Sequence, residues 1–284
     1  MYDPHDTPPL AVRLRTRALW WLMRAIPYPR LAAWHAGGRL RPVERLLLGG
    51  DLILLGGLAP RLRLSGAHFA PWGAQAFTVL TGVHEPMVQE ALRRSLGPGG
   101  SFLDIGANIG ATSLLAAVLV GPEGSVTALD PQRECVAAVR ANAARNGFRH
   151  VQAVEAAVSA EDGEAEVIVV ADALWTRLAS VGEHPLEARR DRVRAVSVDG
   201  LLECREIPVP DVVKVDVEGA ELDVVAGMHG LLSGRRPVVI CEMHGKNCAF
   251  CDAMEALGYR VTDLDGPGPV RTGGANTHAF CEPA

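Results

Sequence analysis

The sequence predicts an α/β protein built around a doubly wound, mostly parallel sheet. From residue 76 onward, short apolar segments rich in Val, Ile and Leu alternate with helical segments of about ten residues or more, a pattern typical of right-handed β-α-β crossovers. Acidic residues also recur where these segments end, at Asp104, Asp130, Glu155, Asp216 and Glu242. Because ligands of such sheets bind beyond the carboxyl ends of the strands, we expect a functional site there.

Composition restricts the class of protein. The 284 residues are enough for one large α/β domain with an extension, and 48% hydrophobic with 21% charged residues is typical of a globular protein. A net charge of −5 gives no reason to expect a nucleic-acid partner. Six cysteines without a convincing export signal indicate reduced thiols and a cytoplasmic protein.

The amino-terminal part, residues 1–75, differs from the rest. Residues 1–65 contain ten arginines, no lysine and four acidic residues, although the whole chain is acidic. Apolar residues recur at helical spacing from residue 11 to about residue 36, and Trp20, Trp21 and Trp34 lie among the arginines. This predicts a partly helical basic extension ahead of a domain at 76–284. The extension can pack on the domain, form a homodimer interface, or rest through residues 11–65 on the inner face of an anionic membrane.

The first half of the domain gives clear element signals. A helix is predicted for HEPMVQEALRRSLGPGG, ending at Gly-Pro-Gly-Gly, and a strand followed by a glycine turn for SFLDIGANIG. A helix (ATSLLAAVLV) and a second strand (SVTALD) follow. The next helix, in PQRECVAAVRANAARNG, opens with Pro and closes with Asn-Gly, as helix start and stop signals require.

The second half continues the alternation. Strands are predicted for VQAVEAAV, EAEVIVV, DVVKVDV, RPVVICEM, YRVTDLD and THAFCE, with helices after the third and the fourth of them. The charged segment EHPLEARRDR is predicted to be a solvated loop, with a role in an acceptor lid as the alternative.

The turn after the first strand of the domain is a candidate ligand site. LDIGANIG places Gly106 and Gly110 where a strand turns into a helix, and glycine lets a backbone approach a ligand closely. The spacing is not that of the Gly-x-Gly-x-x-Gly dinucleotide loop, and a plain tight turn would also explain it. Asp130, at the end of the second strand, can accept hydrogen bonds from a ribose diol. Together these features favour a nucleoside-containing cofactor without separating NAD from S-adenosylmethionine.

Several motifs, in order, resemble the FkbM family of S-adenosylmethionine-dependent methyltransferases: FLDIGANIGATSLLAA, ALDP, VEAAVS, VSVDGLL, PDVVKVDVEGAELDVVAGM and PVVICEMHG. The resemblance covers about residues 76–284. It implies a class I, Rossmann-like methyltransferase fold, with a seven-stranded, mostly parallel sheet whose last strand is antiparallel. It also implies methyl transfer to a hydroxyl oxygen of a small acceptor such as a sugar, a polyketide or another secondary metabolite.

The resemblance also implies which residues hold the cofactor. The cofactor turn would consist of Asp104, Gly106, Ala107, Asn108 and Gly110. Asp130 would hold the ribose, and Glu155, Ala156 and Ala157 would line the adenine side. Residues that bind the acceptor vary more within the family and are not carried over.

The candidate catalytic residues are Asp216, Glu218, Glu242 and His244. Methyl transfer to oxygen requires an aligned hydroxyl that loses its proton during or after attack. Asp216 and Glu218, two residues apart at a strand end, can point the same way. Glu242 ends the next predicted strand and His244 lies just beyond it.

Three roles remain open for this acidic group. One of its members can be a general base, or Asp216, Glu218 and Glu242 can supply the oxygen ligands of a divalent metal that acidifies the hydroxyl. Alternatively the role is structural, with Glu218 and Glu221 at a helix start, where the dipole favours negative charge, and Lys214 neutralising a carboxylate.

Two further alternatives concern the protein as a whole. CEMHGKNCAFC contains Cys248 and Cys251 at the spacing of zinc and redox sites, but Cys241 lies within a predicted buried strand, so we interpret these residues as small buried thiols. For function, the alternatives to a methyltransferase are an NAD(P)-dependent oxidoreductase and a non-catalytic cofactor-binding or scaffold domain.

Overall fold

A computed structural model of the chain describes residues 9–25, 50–66, 75–170, 176–182 and 187–284. The chain forms two compact units. The smaller comprises Met1–Pro86 with Arg140–Arg149, and the larger comprises Met87–Val139 with His150–Ala284. The predicted boundary at residue 75 stays a prediction.

The smaller unit contains helices and a short hairpin. Its elements are α1 (Leu10–Ala25), β1 (Asp51–Ile53), β2 (Arg63–Ser65) and α2 (Gln75–Thr81). β1 and β2 pair antiparallel and bury Leu52 and Leu64. The buried hydroxyl of Thr16 in α1 accepts a hydrogen bond from the backbone N–H of Ile53 at 3.2 Å. The helix predicted near the amino terminus is thus present over 10–25, whereas Trp34 lies outside the described residues.

Two asparagines complete the outer edge of β2. The backbone N–H groups of Ser65 and Arg63 donate to the side-chain oxygens of Asn142 and Asn146, each at 2.8 Å. The Asn146 amide donates in return to the Arg63 carbonyl at 2.7 Å. The sequence explained Asn146 by helix termination alone. The structure shows that it also takes the place of a neighbouring strand, because a buried strand edge must satisfy its backbone groups.

The larger unit is built from strands and helices in two sheets. Its strands are β3 (Ser101–Ile105), β4 (Ser125–Asp130), β5 (Val151–Glu155), β6 (Ala157–Val158), β7 (Gly163–Val170), β8 (Thr176–Leu178), β9 (Glu187–Val196), β10 (Val212–Val215), β11 (Val238–Glu242), β12 (Tyr259–Asp263) and β13 (His278–Pro283). Its helices are α3 (Pro86–Ser95), α4 (Ala111–Val120), α5 (Arg133–Arg145), α6 (Val198–Glu203), α7 (Glu221–Gly227), α8 (His229–Gly234) and α9 (Asn247–Ala256), of which α3 starts and α5 ends in the smaller unit.

The main sheet has seven strands among the described residues, in the order β12-β13-β11-β10-β3-β4-β5. Neighbours pair parallel except at β13, which is antiparallel to both β11 and β12. The predicted mostly parallel sheet with an antiparallel last strand is therefore confirmed. All four residues of β10 are buried, as expected for a central strand covered on both faces.

A second sheet is inserted between β5 and β10, in the order β6-β9-β7-β8. The loop predicted for EHPLEARRDR is wrong over 187–192, which belong to the ten-residue strand β9 paired antiparallel with β7. An ion pair of 3.1 Å between Arg190 and Glu166 joins these two strands. Cross-strand ion pairs let a strongly charged segment form a strand with one solvated face.

No helix within the described residues is long and apolar enough to cross a membrane. The membrane and homodimer alternatives for the extension stay predictions.

Candidate active site

A cleft of about 600 Å³, open to solvent, lies at the carboxyl ends of β3, β4 and β10. Its apolar wall includes Leu129, Ala156 and Val158. Its polar side chains among the described residues are Asn108, Asp130, Thr176, Arg177, Asp216 and Glu218. The cleft is where a doubly wound sheet is expected to bind its ligand.

The turn after β3 forms the floor of the cleft. Gly106 has a φ of +79°, and a Cβ at this position would lie 1.8 Å from the backbone oxygen of Asp216. Glycine is therefore required there, because β3 and the end of β10 approach too closely for a side chain. Gly110, with a φ of +84°, precedes α4, and a Cβ there would lie 2.9 Å from Val139. Both glycines shape the turn, and Gly106 also lines the cleft.

The other residues predicted for the cofactor turn divide into two groups. Asn108 lines the cleft, whereas Ala107 packs into an apolar cluster with Ala128 and Val136. Asp104 lies beneath the turn, fully buried, and accepts a hydrogen bond of 2.5 Å from the Ser113 hydroxyl of α4. Asp104 thus joins β3 to α4 and is not among the residues that line the cleft.

The predicted adenine side is only partly at the cleft. Ala156 and Ala157 line it. Glu155 is not one of the lining residues, and its carboxylate forms an ion pair of 3.3 Å with the exposed Arg133.

Asp130 lines the cleft at the end of β4. Its two carboxylate oxygens accept hydrogen bonds of 2.8 Å from the backbone N–H groups of Asn108 and Gln132. Burial raises the pKa of Asp130 to about 7, although the two amides favour its charged form. Each carboxylate oxygen has a second lone pair, so Asp130 retains acceptor capacity toward a ligand.

The acidic block after β10 separates into distinct environments. Asp216 lines the cleft and pairs with the buried ammonium of Lys214 at 2.9 Å. Glu218 also lines the cleft, has a φ of +54°, and burial raises its pKa. Glu221 is fully buried at the start of α7 and accepts a hydrogen bond of 2.8 Å from the Gly219 N–H.

His244 connects two of these carboxylates. Its Nδ1 lies 2.8 Å from Oε1 of Glu221, and its Nε2 lies 3.4 Å from Oε2 of Glu218. Burial disfavours its charge, but the hydrogen bond to Glu221 and the charge of Glu218 outweigh burial and raise the pKa of His244 to about 9. The two carboxylates therefore favour the imidazolium form of His244.

Glu242 lies near His244 but does not line the cleft. Its Oε1 lies 4.0 Å from Nε2 of His244, and it is not among the lining residues. The ligand atoms of Asp216, Glu218 and His244 lie within 4.8 Å of one another, close enough to hold a metal. The structure thus groups His244, and not Glu242, with the other two residues of the predicted metal set.

The interpretation of these cysteines as small buried thiols is confirmed for Cys241 and Cys251 and wrong for Cys248, which is exposed. Cys241 and Cys251 are buried, and burial raises the pKa of both thiols. Cys248 is exposed, and its Sγ lies 3.5 Å from the Arg271 carbonyl. The groups of described residues that are close enough to hold a metal contain no cysteine.

The position of Glu221 at a helix start was predicted and is confirmed, but its full burial and its contact with His244 were not predicted, and Arg177 was missed as a lining residue. Glu218 and Glu221 are three residues apart in the sequence, but acidic residues are common at helix starts. Their spacing therefore does not predict that Glu221 is buried. Arg177 lies in the inserted sheet, outside every motif that was recognised.

The strand order, with an antiparallel β13 between β11 and β12 and a glycine turn after β3, defines a class I methyltransferase fold. A family model described as the methyltransferase FkbM domain matches residues 104–261, more than half of the chain. The chain belongs to this family, which favours a methyltransferase over an NAD(P)-dependent oxidoreductase.

Individual relatives are more distant. The hexuronic acid methyltransferase AglP of Haloferax volcanii is 40% identical over 68 residues, which cover 24% of this chain and 28% of that protein. The structure of a methyltransferase FkbM from Methylobacillus flagellatus is 14% identical, with 87% of this chain and 60% of that chain covered and a TM-score of 0.42. For an S-adenosylmethionine-dependent O-methyltransferase from Thermotoga maritima the identity is 14%, the coverages are 70% and 65%, and the TM-score is 0.43.

Proposed function

We propose that this methyltransferase transfers a methyl group from S-adenosylmethionine to a hydroxyl oxygen of a small, sugar-like acceptor. Family membership supports the methyl transfer, and the Haloferax relative, a hexuronic acid methyltransferase, supports a sugar acceptor. The observation on which the proposal depends most is the position of Glu218, a carboxylate at the cleft with an imidazolium directly behind it.

The cleft residues fit the proposed cofactor. Asp130 would hold the ribose hydroxyls, while Ala156 and Val158 would face the adenine. Gly106 and Asn108 would place backbone close to the amino-acid part, because neither bears a bulky side chain above the turn.

The reaction requires a base. When bound, S-adenosylmethionine supplies an electrophilic methyl on a sulfonium, so transfer to oxygen forms an O–CH₃ bond, leaves a neutral thioether and releases the hydroxyl proton. Glu218 is suited to accept this proton, since it faces the cleft and its raised pKa makes it a stronger base than an ordinary carboxylate. The positive charge of His244 keeps Glu218 ionised until the hydroxyl arrives.

The other predicted catalytic residues are less suited to that step. The imidazolium form of His244, which its two carboxylate neighbours favour, cannot accept a proton. Asp216 already forms an ion pair with Lys214, and Glu242 does not line the cleft. We assign His244 to orienting Glu218, and Asp216 to positioning the acceptor hydroxyl.

The test is Glu218→Gln, which keeps the shape of the side chain and removes the base. We expect turnover with radiolabelled S-adenosylmethionine and a panel of sugars to fall about 100-fold or more, in the range typical of a lost general base. Binding of S-adenosylhomocysteine should stay within about threefold of the wild type. Glu161→Gln, an exposed glutamate outside the cleft, is the matched control.

Near-normal turnover of Glu218→Gln would remove Glu218 as the base. If turnover instead depends on added Mg²⁺ and is abolished by EDTA, the predicted metal role of Asp216 and Glu218 replaces the general-base mechanism.

A further inference from the structure

Arg177 is the residue of the cleft that the proposed reaction does not use. It lies in β8 and lines the cleft together with its neighbours Thr176 and Leu178. Its Nε is buried and has no hydrogen-bond partner within the described part of the chain. A buried donor without a partner is costly, and more so on a charged group, so this N–H is expected to meet a ligand.

The acidic residues of the cleft already have partners. Asp130 accepts two backbone N–H groups, Asp216 pairs with Lys214, and Glu218 lies beside His244. Among the described residues that line the cleft, Arg177 alone carries a positive charge. The charge of Arg177 acts on Glu218 across the cleft, but the described residues show no ion pair for Arg177. Its guanidinium therefore remains available to a ligand.

The position of Arg177 in the fold separates it from the proposed cofactor contacts. Asp130, Ala156 and Gly106 lie at strand ends and turns of the main sheet, and Val158 lies in β6 at one edge of the inserted sheet, whereas Arg177 lies in β8 at the opposite edge of that sheet. The inserted sheet thus forms a second wall of the same cleft. A ligand group that contacts this wall is more readily part of the acceptor than of the cofactor.

We propose that Arg177 binds a carboxylate of the acceptor, so that the substrate is an acidic sugar rather than a neutral one. This inference rests on the proposed function. The planar guanidinium presents paired N–H donors that match the two oxygens of a carboxylate, an interaction that lysine does not reproduce. With its carboxylate bound by Arg177, the acceptor would present a hydroxyl to Asp216 and Glu218.

The amino-acid carboxylate of the cofactor is the other source of the same chemistry. The two sources are distinguished by which ligand loses affinity when Arg177 is changed. We would titrate glucuronic acid and its uncharged amide, glucuronamide, into protein saturated with S-adenosylhomocysteine, and separately titrate S-adenosylhomocysteine into free protein.

The variants are Arg177→Gln and Arg177→Lys. Arg192→Gln serves as the control, because it removes the same charge from an exposed position of the same inserted sheet. We expect the wild type and Arg192→Gln to bind glucuronic acid at least tenfold more tightly than glucuronamide. Arg177→Gln should lose this preference and Arg177→Lys should retain only part of it, with S-adenosylhomocysteine affinity unchanged within about threefold.

Three results would overturn the proposal. In the first, the wild type does not bind glucuronic acid. In the second, the wild type binds glucuronic acid and glucuronamide with equal affinity. In the third, Arg177→Gln lowers the affinity for S-adenosylhomocysteine and leaves the preference for glucuronic acid unchanged. Failure of the proposed function would look different. The wild type would not bind S-adenosylhomocysteine, or Glu218→Gln would be fully active.

Discussion

Asp130 shows how burial of a single side chain determines the protonation of a carboxylate at the cleft. Burial raises its pKa from 3.8 to about 7, so the folded protein holds this proton more tightly than the unfolded chain. The stability contributed by protonated Asp130 is therefore fully present below about pH 4 and is lost as the pH rises through about 7. Its ionised form, which in our proposal accepts hydrogen bonds from a ribose diol, becomes dominant only above that pH.

We expect the affinity for the cofactor to increase with the fraction of Asp130 that is ionised. We expect the Kd of S-adenosylhomocysteine to weaken as the pH falls below about 7, approaching tenfold per pH unit. Calorimetry between pH 5 and 8.5 measures this. Asp130→Asn should bind more weakly without that pH dependence, and a wild-type Kd that is constant over the range would contradict the assignment of Asp130 to the ribose.

Glu221 is a residue whose role follows from burial rather than from its position in the sequence. It is fully buried and accepts hydrogen bonds from the Gly219 N–H and from His244. Glu221→Gln removes the charge that holds the His244 imidazolium, and we expect a loss of about 2 kcal/mol in the free energy of unfolding, as for a hydrogen bond to a charged group. Urea denaturation measures the loss; Glu161→Gln should be neutral, and a neutral Glu221→Gln would show that the buried carboxylate is dispensable.

At the scale of elements, the close approach of β3 and the end of β10 explains the glycine turn. Gly106 and Gly99 have nearly the same φ, +79° and +81°, but a Cβ at Gly106 would collide with the Asp216 backbone, whereas nothing lies within 4 Å of one at Gly99. Gly99→Ala should cost about 1 kcal/mol from backbone strain alone. Gly106→Ala should cost several kcal/mol, because the collision forces β3 and β10 apart.

Thermal unfolding of the two glycine variants gives this comparison directly. Equal effects on Tm would mean that the two strand ends separate easily and that the turn is not confined by β10.

The elements that the sequence predicted best are those whose pattern is set by burial on both faces. The strand DVVKVDV and the helix ATSLLAAVLV correspond to β10 and α4, because central strands and their covering helices are strongly apolar. β9 was missed because its outward residues are charged. Part of its stability comes from cross-strand ion pairs such as Arg190 with Glu166, and these two residues are 24 positions apart in the sequence.

At the scale of the whole molecule, the fold and the part of the cleft formed by the main sheet could be predicted from the sequence, whereas the part formed by the inserted sheet could not. Gly106, Asn108 and Asp130 lie on the main sheet, whose topology constrains them, and the structure places all three at the cleft. Arg177 reaches the cleft only because the inserted sheet folds over it, and Glu221 acquires its role only through His244, 23 residues later. Contacts of this kind depend on three-dimensional packing that no local pattern encodes.

The central claim is that this cleft binds S-adenosylmethionine for methyl transfer. Calorimetric titration of the protein with S-adenosylmethionine, and in parallel with NAD, tests this most directly, with Asp130→Ala as the comparison. We predict a single saturable site for S-adenosylmethionine, at least tenfold weaker in Asp130→Ala, and no binding heat with NAD. Saturable binding of NAD without binding of S-adenosylmethionine would contradict the account.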